Sequence, residues 1–599
     1  MPVTHDVIEV EAAVTLDGLF SERVKRTPDL TAYRYFEPSS GQWKSYTWSQ
    51  MNAKVARWQA AFERDGLAAG ERIAILLCNS PEWVMCDIAA LGLGLVVIPL
   101  YTQDRPENIA YILGNAGCKL LLFEGTEQWK ALLEVRDQLG GLTRVVSVKP
   151  VPGGDDSRLK SMDEWLPASA RSTSHRKAER NDLATIVYTS GTTGRPKGVM
   201  LSHNNILTNA YACLNVMATT PDDVFLSFLP LSHTFERTCG YYLTMMAGST
   251  TAYARSVSLL GEDLQTIKPT VLVSVPRIYE RVWSAIRAKL DEGPPSRKKM
   301  FLLAVEVGYA RFEHSQGRGP WKASFLLWPV LQALVARKVL ARLGGRLRAA
   351  LSGGAALSPE VSRVFIGLGL PVLQGYGLTE SSPVACANSL DDNMPASVGR
   401  PVPGVDVMLG ENSALLIKGP NVMLGYWQNE SATRQILTAE GWLNSGDLAK
   451  IDDQGHVYIV GRLKEIIVMS NGEKISPVDV EAAIARDALF EQVLLLGEGK
   501  PFLSVIAVLN REQWSTVAAH EGVPADEVAI HSKPAQALFL RRIGDQLKDF
   551  PGYAQVRRVF VTLEPWTVDN GLMTPTLKLK RNKVFDKFDA EIDQMYRGH

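Results

Sequence analysis

The feature that most restricts the fold of this chain is the regular alternation of fully apolar segments with segments of helical character. Apolar runs such as RIAILLC (72–78), VVIPL (96–100) and KLLLFE (119–124) alternate with helix-start signals such as Ser80-Pro81. Strands that are apolar throughout are typical of a parallel sheet covered by helices on both faces. The same pattern resumes in TIVYTS, VFLSFLP and TVLVSVP. The sequence therefore predicts a doubly wound α/β fold.

The length of the chain and a change in its pattern of predicted strands and helices predict two domains. A chain of 599 residues is too long for a single hydrophobic core. Near Gly461 the pattern changes to short strands and helices that are typical of a small α+β unit. We expect a large domain at residues 1–461 and a small domain at residues 462–599, with a hinge at about 462–465. The large domain should carry a mainly helical insertion at about 283–347.

Composition and charge argue against several partners. Lys plus Arg and Asp plus Glu both number 64, so no net positive charge attracts nucleic acid. The six cysteines form no CxxC pair, which predicts reduced thiols and no structural zinc. The first residues are acidic where a secretory signal peptide is basic. We expect a cytoplasmic protein; a homodimer and peripheral contact with a membrane are both compatible with this sequence.

The longest apolar segment is ASFLLWPVLQALVA, residues 323–336, which Pro329 interrupts. No apolar segment reaches the roughly 18–20 residues that are needed to cross a bilayer. Two interpretations remain for residues 323–336. A core helix is favoured because burial is commoner, and the alternative is a helix that lies in a membrane interface.

A loop rich in glycine and hydroxyl groups, YTSGTTGRPKGVM at 188–200, is a candidate phosphate site. Its polar groups are Thr189, Ser190, Thr192, Thr193 and Lys197, and its glycines are Gly191, Gly194 and Gly198. Glycines let backbone N–H groups turn toward an anion. An apolar strand precedes the loop and a helix follows it, an arrangement that favours an anion site. The spacing differs from the Walker pattern, and a polar surface turn is the structural alternative.

Further motifs follow in a fixed order along the chain. They are LSGGAALS (351–358), QGYGLTESSPV (374–384), GWLNSGDL (441–448), GRLKEII (461–467) and TPTLKLKR (574–581). Each conspicuous residue also has a structural interpretation. Glu380 could be an acid at a helix N-terminus, Tyr376 a core aromatic, Asp447 a turn residue and Arg462 a partner in a surface ion pair.

Taken in order, YTSGTTGRPKG, GYGLTE, SGD and GR resemble the motifs of the acyl-adenylate-forming superfamily, over almost the whole chain. The helical insertion and the ending LMTPTLKLKRNKV are most similar to long-chain fatty acyl-CoA synthetases. The resemblance implies an α/β fold with a large N-terminal domain of doubly wound sheets plus a distorted barrel, and a small, mobile C-terminal α+β domain. It also implies ATP-dependent ligation of a long-chain fatty acid to coenzyme A through acyl-AMP, with Mg²⁺.

Other functions remain open at this stage. The acid could be an aryl, medium-chain or branched acid, or the acyl group could pass from acyl-AMP to a carrier protein. A lipid-binding protein that has kept the fold without turnover is an alternative from another class. The substrates that the resemblance implies are a fatty acid, ATP and coenzyme A.

The resemblance implies a role for each motif in binding ATP. The glycine-rich loop and Lys197 would bind the β- and γ-phosphates, Thr379 would reach the α-phosphate, and Glu380 would bind Mg²⁺. The adenosine would be contacted by Gly353, Gly354, Ala355, Tyr376, Gly377, Asp447 and Arg462. Tyr376 would stack on the adenine, and Asp447 would bind the ribose hydroxyls.

The remaining roles concern the acyl group, coenzyme A and the adenylation step. His233 and Gly375 would lie at the entrance to the acyl pocket, although a buried core histidine is the alternative for His233. Lys464 matches a hinge position, and Gly472 would leave a path for the pantetheine thiol. The lysine that bridges the carboxylate and the α-phosphate is either Lys578, which the alignment favours, or Lys580.

Overall fold

The structure is a computed structural model. It describes residues 6–153, 156–170, 172–176, 178–189, 195–463, 465–471, 473–574 and 578–597. Within these residues, two large sheets form most of the first part of the chain. One has the strand order Arg400–Pro401, Val384–Ala387, Val372–Gly377, Ala349–Ser352, Val271–Ser274, Val224–Ser227, Thr250–Tyr253, Thr31–Glu37 and Gln42–Thr47. The other has the order Gly425–Tyr426, Lys197–Ser202, Leu183–Thr189, Val96–Pro99, Arg72–Leu76, Cys118–Phe123, Arg144–Ser147 and Leu159–Ser161.

The centres of both sheets are parallel, as the apolar segments predict. Arg72–Leu76 pairs in parallel with Val96–Pro99 and with Cys118–Phe123. Every residue of Val96–Pro99 is buried, which explains its continuous apolar sequence. Antiparallel strands occur toward the edges, for example Lys197–Ser202 against Leu183–Thr189. The predicted α/β fold is confirmed.

Helices lie between these strands. Those with α geometry are Val10–Ala13, Leu16–Arg26, Trp48–Arg64, Pro81–Gly92, Pro106–Ala116, Thr126–Leu133, Met162–Trp165, His203–Met217, Leu243–Ala247, Leu260–Ile267, Pro276–Asp291, Pro295–Ser315, Trp328–Leu331, Arg337–Leu340, Pro359–Gly367, Glu430–Ile436, Pro477–Ile484, Arg511–Glu521, Lys533–Gln546, Arg581–Lys587 and Asp589–Tyr596. Short 3₁₀ segments are Arg136–Gln138, Ala323–Leu327, Ala341–Leu343, Thr379–Ser381, Glu411–Ser413, Ala529–His531 and Gly552–Ala554. Glu236–Tyr242 and Gln332–Ala336 have π geometry. The predicted helix at Pro81 begins there and is capped by the Ser80 side chain.

A third sheet stands where the distorted barrel is expected. It consists of the antiparallel strands Asp406–Leu409, Ala414–Lys418, Leu443–Ile451 and Val457–Arg462. The C-terminal part of the chain then forms its own apolar core around the strands Phe490–Leu496, Leu503–Leu509 and Val556–Thr562, preceded by the small pair Ile467–Val468 and Lys474–Ile475. The boundary at 462 and the mobility of the C-terminal part stay predictions.

The helical insertion corrects one expectation. Residues 323–343 form a continuous helical stretch of 21 residues, which is long and apolar enough to cross a bilayer by length and composition. The expectation that no segment reaches that length is therefore wrong, because the helix continues beyond Arg337 and Lys338 through Val339 and Leu340. One face of this stretch is buried against Pro295–Ser315, so it is part of a packed unit.

Candidate functional site

The motifs of the sequence meet around one cavity of about 640 Å³. Its walls come from distant parts of the chain: the strand ends at Thr189 and Lys197, the strand Val372–Gly377, the segment 426–429, and Thr574 and Lys578. The predicted site residues that line it are Thr189, Lys197, His233, Gly353, Gly354, Gly375, Tyr376, Gly377, Thr379, Glu380, Arg462 and Lys578. Two predicted site residues that the structure describes are not among the lining residues: Ala355, which is exposed, and Asp447, which is buried. The predicted set thus occupies largely one place.

The glycine-rich loop connects two strands rather than a strand and a helix. Leu183–Thr189 pairs antiparallel with Lys197–Ser202, and Thr189 lies opposite Lys197. The helix His203–Met217 begins only after the second strand, with Ser202 as its cap. The predicted strand before the loop and the predicted helix after it are both present. The direct connection from loop to helix is wrong, because KGVMLS forms a further strand between them. Ser190, Gly191, Thr192, Thr193 and Gly194 lie outside the described residues.

Lys197 and Glu380 are linked through a tyrosine that the sequence analysis missed. The Tyr426 hydroxyl donates a hydrogen bond to Glu380 Oε1 at 2.7 Å, and Lys197 Nζ lies 5.0 Å from the centre of the Tyr426 ring. Burial and the Glu380 carboxylate raise the pKa of Tyr426, so its hydroxyl stays a donor. The short sequence GYW around Tyr426 gives no sign of a functional role. The position of Tyr426 in the site depends on the strand Gly425–Tyr426 pairing with Lys197–Ser202.

Asp447 forms the centre of a second polar group. Its carboxylate accepts a hydrogen bond from the Tyr376 hydroxyl and another from Arg462 Nε at 2.9 Å. Asp447 is 5% exposed, and it lies directly opposite Arg462 on the strand pair Leu443–Ile451 and Val457–Arg462. The turn interpretation of Asp447 is wrong, since the residue is within a strand. Burial and Asp447 raise the pKa of Tyr376.

The two candidate lysines lie in different places. Lys578 lines the cavity. Desolvation by the surrounding protein and the charge of Arg462 lower the pKa of its ammonium group, although the side chain is still exposed to water. Lys580 lines a separate, open depression together with Arg105, Lys583 and Lys587. Leu579, which lies between the two lysines, forms an isolated antiparallel bridge with Met573.

The glycines on the cavity wall restrict its shape to different degrees. A Cβ atom on Gly377 would lie 1.7 Å from the Pro383 carbonyl oxygen, so no side chain fits there. A Cβ on Gly353 would lie 3.0 Å from the Phe235 ring, and Gly354 has φ +80°. At Gly375 the nearest atoms would be in ordinary contact, at 3.4 Å or more. The close approach of the backbone at Gly377 to the backbone at Pro383 therefore requires glycine at this position.

Part of the cavity wall is apolar and neutral. Cys213, Val216, Met217 and Leu373 line it, together with Phe235. His233 also lines the cavity. It is half-buried, and its Nδ1 accepts a hydrogen bond from the Phe235 backbone N–H at 3.2 Å. Burial and the positive charge of Lys578 lower the pKa of His233 to about 4, so the imidazole is neutral at neutral pH.

Behind His233, a π-helical segment carries two buried ionisable residues. Arg237 pairs with Asp87 and donates to Thr185 Oγ1 at 2.8 Å, which joins three elements of the large domain. Neither carboxyl oxygen of Glu236 has a hydrogen-bond partner among the described residues. Burial raises the pKa of Glu236 to about 8, and the nearby Ser227 hydroxyl acts in the opposite direction with a smaller effect.

The cavity has one carboxylate that could bind a metal ion, and not a complete set of protein ligands. In the described part of the chain, no group of three or more His, Cys, Asp or Glu side chains is placed to bind an ion. Glu380 alone fits Mg²⁺, because this ion is commonly bound by one or two carboxylates together with substrate phosphates and water. Lys464 and Gly472, the predicted hinge and coenzyme A positions, lie outside the described residues.

Two family models match the sequence. The model for AMP-binding enzyme matches residues 20–427, and the model for AMP-binding enzyme C-terminal domain matches residues 464–599.

Curated relatives align over nearly the full chain. Probable acyl-activating enzyme 16, chloroplastic, from Arabidopsis thaliana is 30% identical over 94% of this chain and 86% of its own length. Long-chain-fatty-acid–CoA ligase FadD15 from Mycobacterium bovis is 28% identical over 96% of each chain. Long-chain-fatty-acid–[acyl-carrier-protein] ligase AEE15, chloroplastic, from Arabidopsis thaliana is 28% identical over 92% of this chain and 82% of its own.

Solved structures share the fold at lower identity. The adenylation domain of a carboxylate reductase from Mycobacterium chelonae superimposes with a TM-score of 0.77 at 21% identity, covering 100% of this chain and 94% of that one. The anthranilate CoA ligase AuaEII, solved with anthranoyl-AMP, gives 0.72 at 20% identity, covering 97% and 98%. These likenesses confirm the two-part α/β fold.

Proposed function

The chain belongs to the AMP-binding enzyme family and is an acyl-adenylate-forming ligase, and we propose that its substrates are ATP, a long-chain fatty acid and coenzyme A. The observation that carries the proposal is the polarity of one cavity. Cations from distant parts of the chain, Lys197, Arg462 and Lys578, line the cavity that has Val216 and Met217 on its apolar wall. Such a cavity suits a triphosphate at one end and a hydrocarbon chain at the other.

In the first step the fatty carboxylate oxygen attacks the α-phosphorus of ATP. The bond between the α-phosphorus and the bridging oxygen breaks, and its electron pair leaves with pyrophosphate. Because one anion approaches another, positive charge must lie at both the attacking and the leaving oxygens. Lys578 is proposed to contact the carboxylate and the α-phosphate, and Lys197 the leaving phosphates. Mg²⁺ bound through Glu380 would neutralise further phosphate charge.

In the second step the sulfur of coenzyme A attacks the acyl carbonyl carbon. The bond between that carbon and the phosphate oxygen breaks, AMP leaves with the electron pair, and the thiol proton passes to solvent. His233 is neutral at neutral pH, so it adds no charge next to the carboxylate or the carbonyl. We propose that it orients the carboxyl group at the boundary between the two ends of the cavity.

The long-chain preference rests on the apolar wall and on the names of relatives. Each CH₂ group that leaves water contributes about 0.8 kcal/mol, so an apolar wall favours acids long enough to cover it. FadD15 is named as a long-chain-fatty-acid–CoA ligase. Medium-chain, branched and aryl acids are the alternatives that a substrate panel must separate.

The test is a panel of acids with ATP, Mg²⁺ and coenzyme A, scored by AMP and by the thioester. We expect the highest kcat/KM for unbranched long-chain acids and no ADP. A preference for an aryl or branched acid would contradict the substrate class while leaving the adenylation chemistry intact. The variant Lys578→Ala serves as the inactive control.

A carrier protein is the second candidate acceptor, because the relative AEE15 is named as an acyl-carrier-protein ligase. Preformed acyl-AMP enzyme should be mixed separately with coenzyme A and with holo acyl carrier protein. Faster transfer to the carrier would replace coenzyme A as the acceptor in our proposal.

A further inference from the structure

The insertion presents an unusual apolar surface to solvent. We use the name insertion helix for residues 323–343, and apolar face for its exposed side chains together with the preceding tryptophan. These side chains are Trp321 (58% exposed), Leu326 (74%), Leu327 (50%), Val330 (58%) and Leu334 (45%). Positions 326, 330 and 334 are four residues apart and so lie along one side of a helix. Large contiguous apolar patches of this kind usually mark interaction sites.

The opposite side of the insertion helix is anchored in the protein. Phe325, Trp328, Leu331 and Val335 are buried in a cluster with Phe301 and other residues of the helix Pro295–Ser315. The Arg311 guanidinium also lies 5.0 Å from the centre of the Trp328 ring. Because these contacts hold one side in the protein, the helix cannot leave it to cross a bilayer, although its length allows that. The apolar face could enter a membrane only from the side, lying along its surface.

The charged residues of the segment that carries the apolar face are all of one sign. Residues 314–359 contain seven Lys and Arg and no Asp or Glu, in a chain whose net charge is zero. Arg318 pairs with Glu313, and Arg348 pairs with Asp223. For the other five, no ion pair is present among the described residues, and all five are exposed: Lys322, Arg337, Lys338, Arg342 and Arg346.

This combination fits one kind of partner better than the others. Aliphatic side chains that enter the acyl region, a tryptophan at the edge and cations at headgroup level are the features of helices that lie on anionic membranes. A second copy of this chain fits less well, because a two-fold contact through the apolar face would bring the cations of the two copies together. Nucleic acid would match the cations but not the four aliphatic side chains.

We propose that the apolar face docks on the surface of a lipid bilayer that contains anionic lipids, with the insertion helix lying in the plane of the interface. The aliphatic side chains contribute burial in the acyl region, and the five exposed cations attract the anionic headgroups. The proposal is independent of the substrate assigned above, because it uses no residue of the cavity.

Vesicle flotation with the full-length protein tests the proposal. Vesicles of phosphatidylcholine alone are compared with vesicles that also contain phosphatidylglycerol, at low and at high salt. We expect binding to the mixed vesicles, and weaker binding both without phosphatidylglycerol and at high salt. The double variant L326S/V330S should weaken binding about ten-fold or more. Failure of the unaltered protein to float with the mixed vesicles would overturn the proposal.

Matched variants separate the contributions. Val528→Ser removes an aliphatic side chain that is 82% exposed elsewhere on the surface, and should leave binding unchanged. The variant R337Q/K338Q should reduce the preference for phosphatidylglycerol while retaining part of the binding. If Val528→Ser loses as much vesicle binding as L326S/V330S, the apolar face is not the docking site. If R337Q/K338Q keeps its preference for phosphatidylglycerol, the cations do not select anionic lipid.

Two further measurements separate docking on lipid from misfolding and from self-association. Thermal melting and ATP–pyrophosphate exchange with a short, soluble acid should be the same for L326S/V330S and for the unaltered protein, since the substituted side chains are exposed. Sedimentation measures self-association without lipid. A dimer that L326S/V330S dissociates would identify a second copy as the occupant and overturn docking on lipid.

Discussion

The two ends of the cavity are built on different principles. At the proposed nucleotide end, the polar lining residues are fixed by hydrogen bonds: Tyr376 and Arg462 both donate to Asp447, and Tyr426 donates to Glu380. At the acyl end the wall is neutral and mostly apolar. Preorganised charges recognise phosphates whatever the acid is, whereas an apolar wall recognises length and shape. We therefore expect the first end to determine the reaction and the second to determine the substrate.

The largest expected effect distinguishes the lysine in the cavity from the one outside it. Lys578→Ala should slow acyl-AMP formation about 100- to 1,000-fold, because it removes a cation from a site of developing negative charge. Lys580→Ala should change the rate by less than about three-fold, as expected of a surface position. Pyrophosphate release in a single turnover measures both. A larger loss in Lys580→Ala would exchange the roles of the two residues.

A smaller effect is expected within the nucleotide end. Asp447→Asn keeps the size of the side chain but removes the charge that Arg462 and the ribose hydroxyls would share, so the KM for ATP should rise about ten-fold. The KM for the fatty acid should change little. A parallel rise in both constants would show that the nucleotide end and the acyl end are coupled rather than independent.

At the acyl end, substitution should change chain length rather than chemistry. Val216→Trp places a large ring on the apolar wall, and each CH₂ group that it excludes should lower kcat/KM about four-fold for the longest acids. Asn215→Trp is the control, since Asn215 is exposed on the same helix. A uniform loss for all acids, with the KM for ATP also raised, would contradict the separation of the two ends.

The smallest effect concerns stability behind the acyl end. The pKa of Glu236 is raised from 4.5 to about 8, so the folded protein keeps a proton that the unfolded chain releases above pH 4.5. The stability of the folded state should therefore fall as the pH rises from 4.5 to 8 and level off above it. Glu236→Gln removes this titration and should melt a few degrees higher at pH 8 but not at pH 4.5. If the unaltered protein and Glu236→Gln melt at the same temperature at pH 8 as well as at pH 4.5, Glu236 is ionised and solvated in the folded protein.

Much of the fold follows from local sequence, because burial on both faces of a parallel strand requires a continuous apolar run. The strand Val96–Pro99 and the capped start at Pro81 were predictable for this reason. The strand Lys197–Ser202 was not, because KGVMLS follows a glycine-rich loop and its pairing with Leu183–Thr189 is a tertiary contact.

The candidate site was predictable where several polar residues are adjacent in sequence, as in GYGLTE. Tyr426 was missed because its contact with Glu380 spans 46 residues and arises only in the folded chain. The apolar wall was missed for a related reason: Val216 and Leu373 are ordinary core residues in sequence, and only the fold brings them to one cavity.

The short connection after the insertion helix has a geometric consequence. Five residues, 344–348, separate Leu343 from the strand Ala349–Ser352, and Arg348 is tied to Asp223 by an ion pair. Gly353, on the wall of the cavity, follows that strand directly. Because this connection is short, a molecule that docks on lipid through its apolar face could not rotate the cavity freely relative to the membrane. The orientation of the cavity relative to the membrane plane would be set by the backbone. Every fatty acid that arrives from the membrane would then enter the cavity from the same direction.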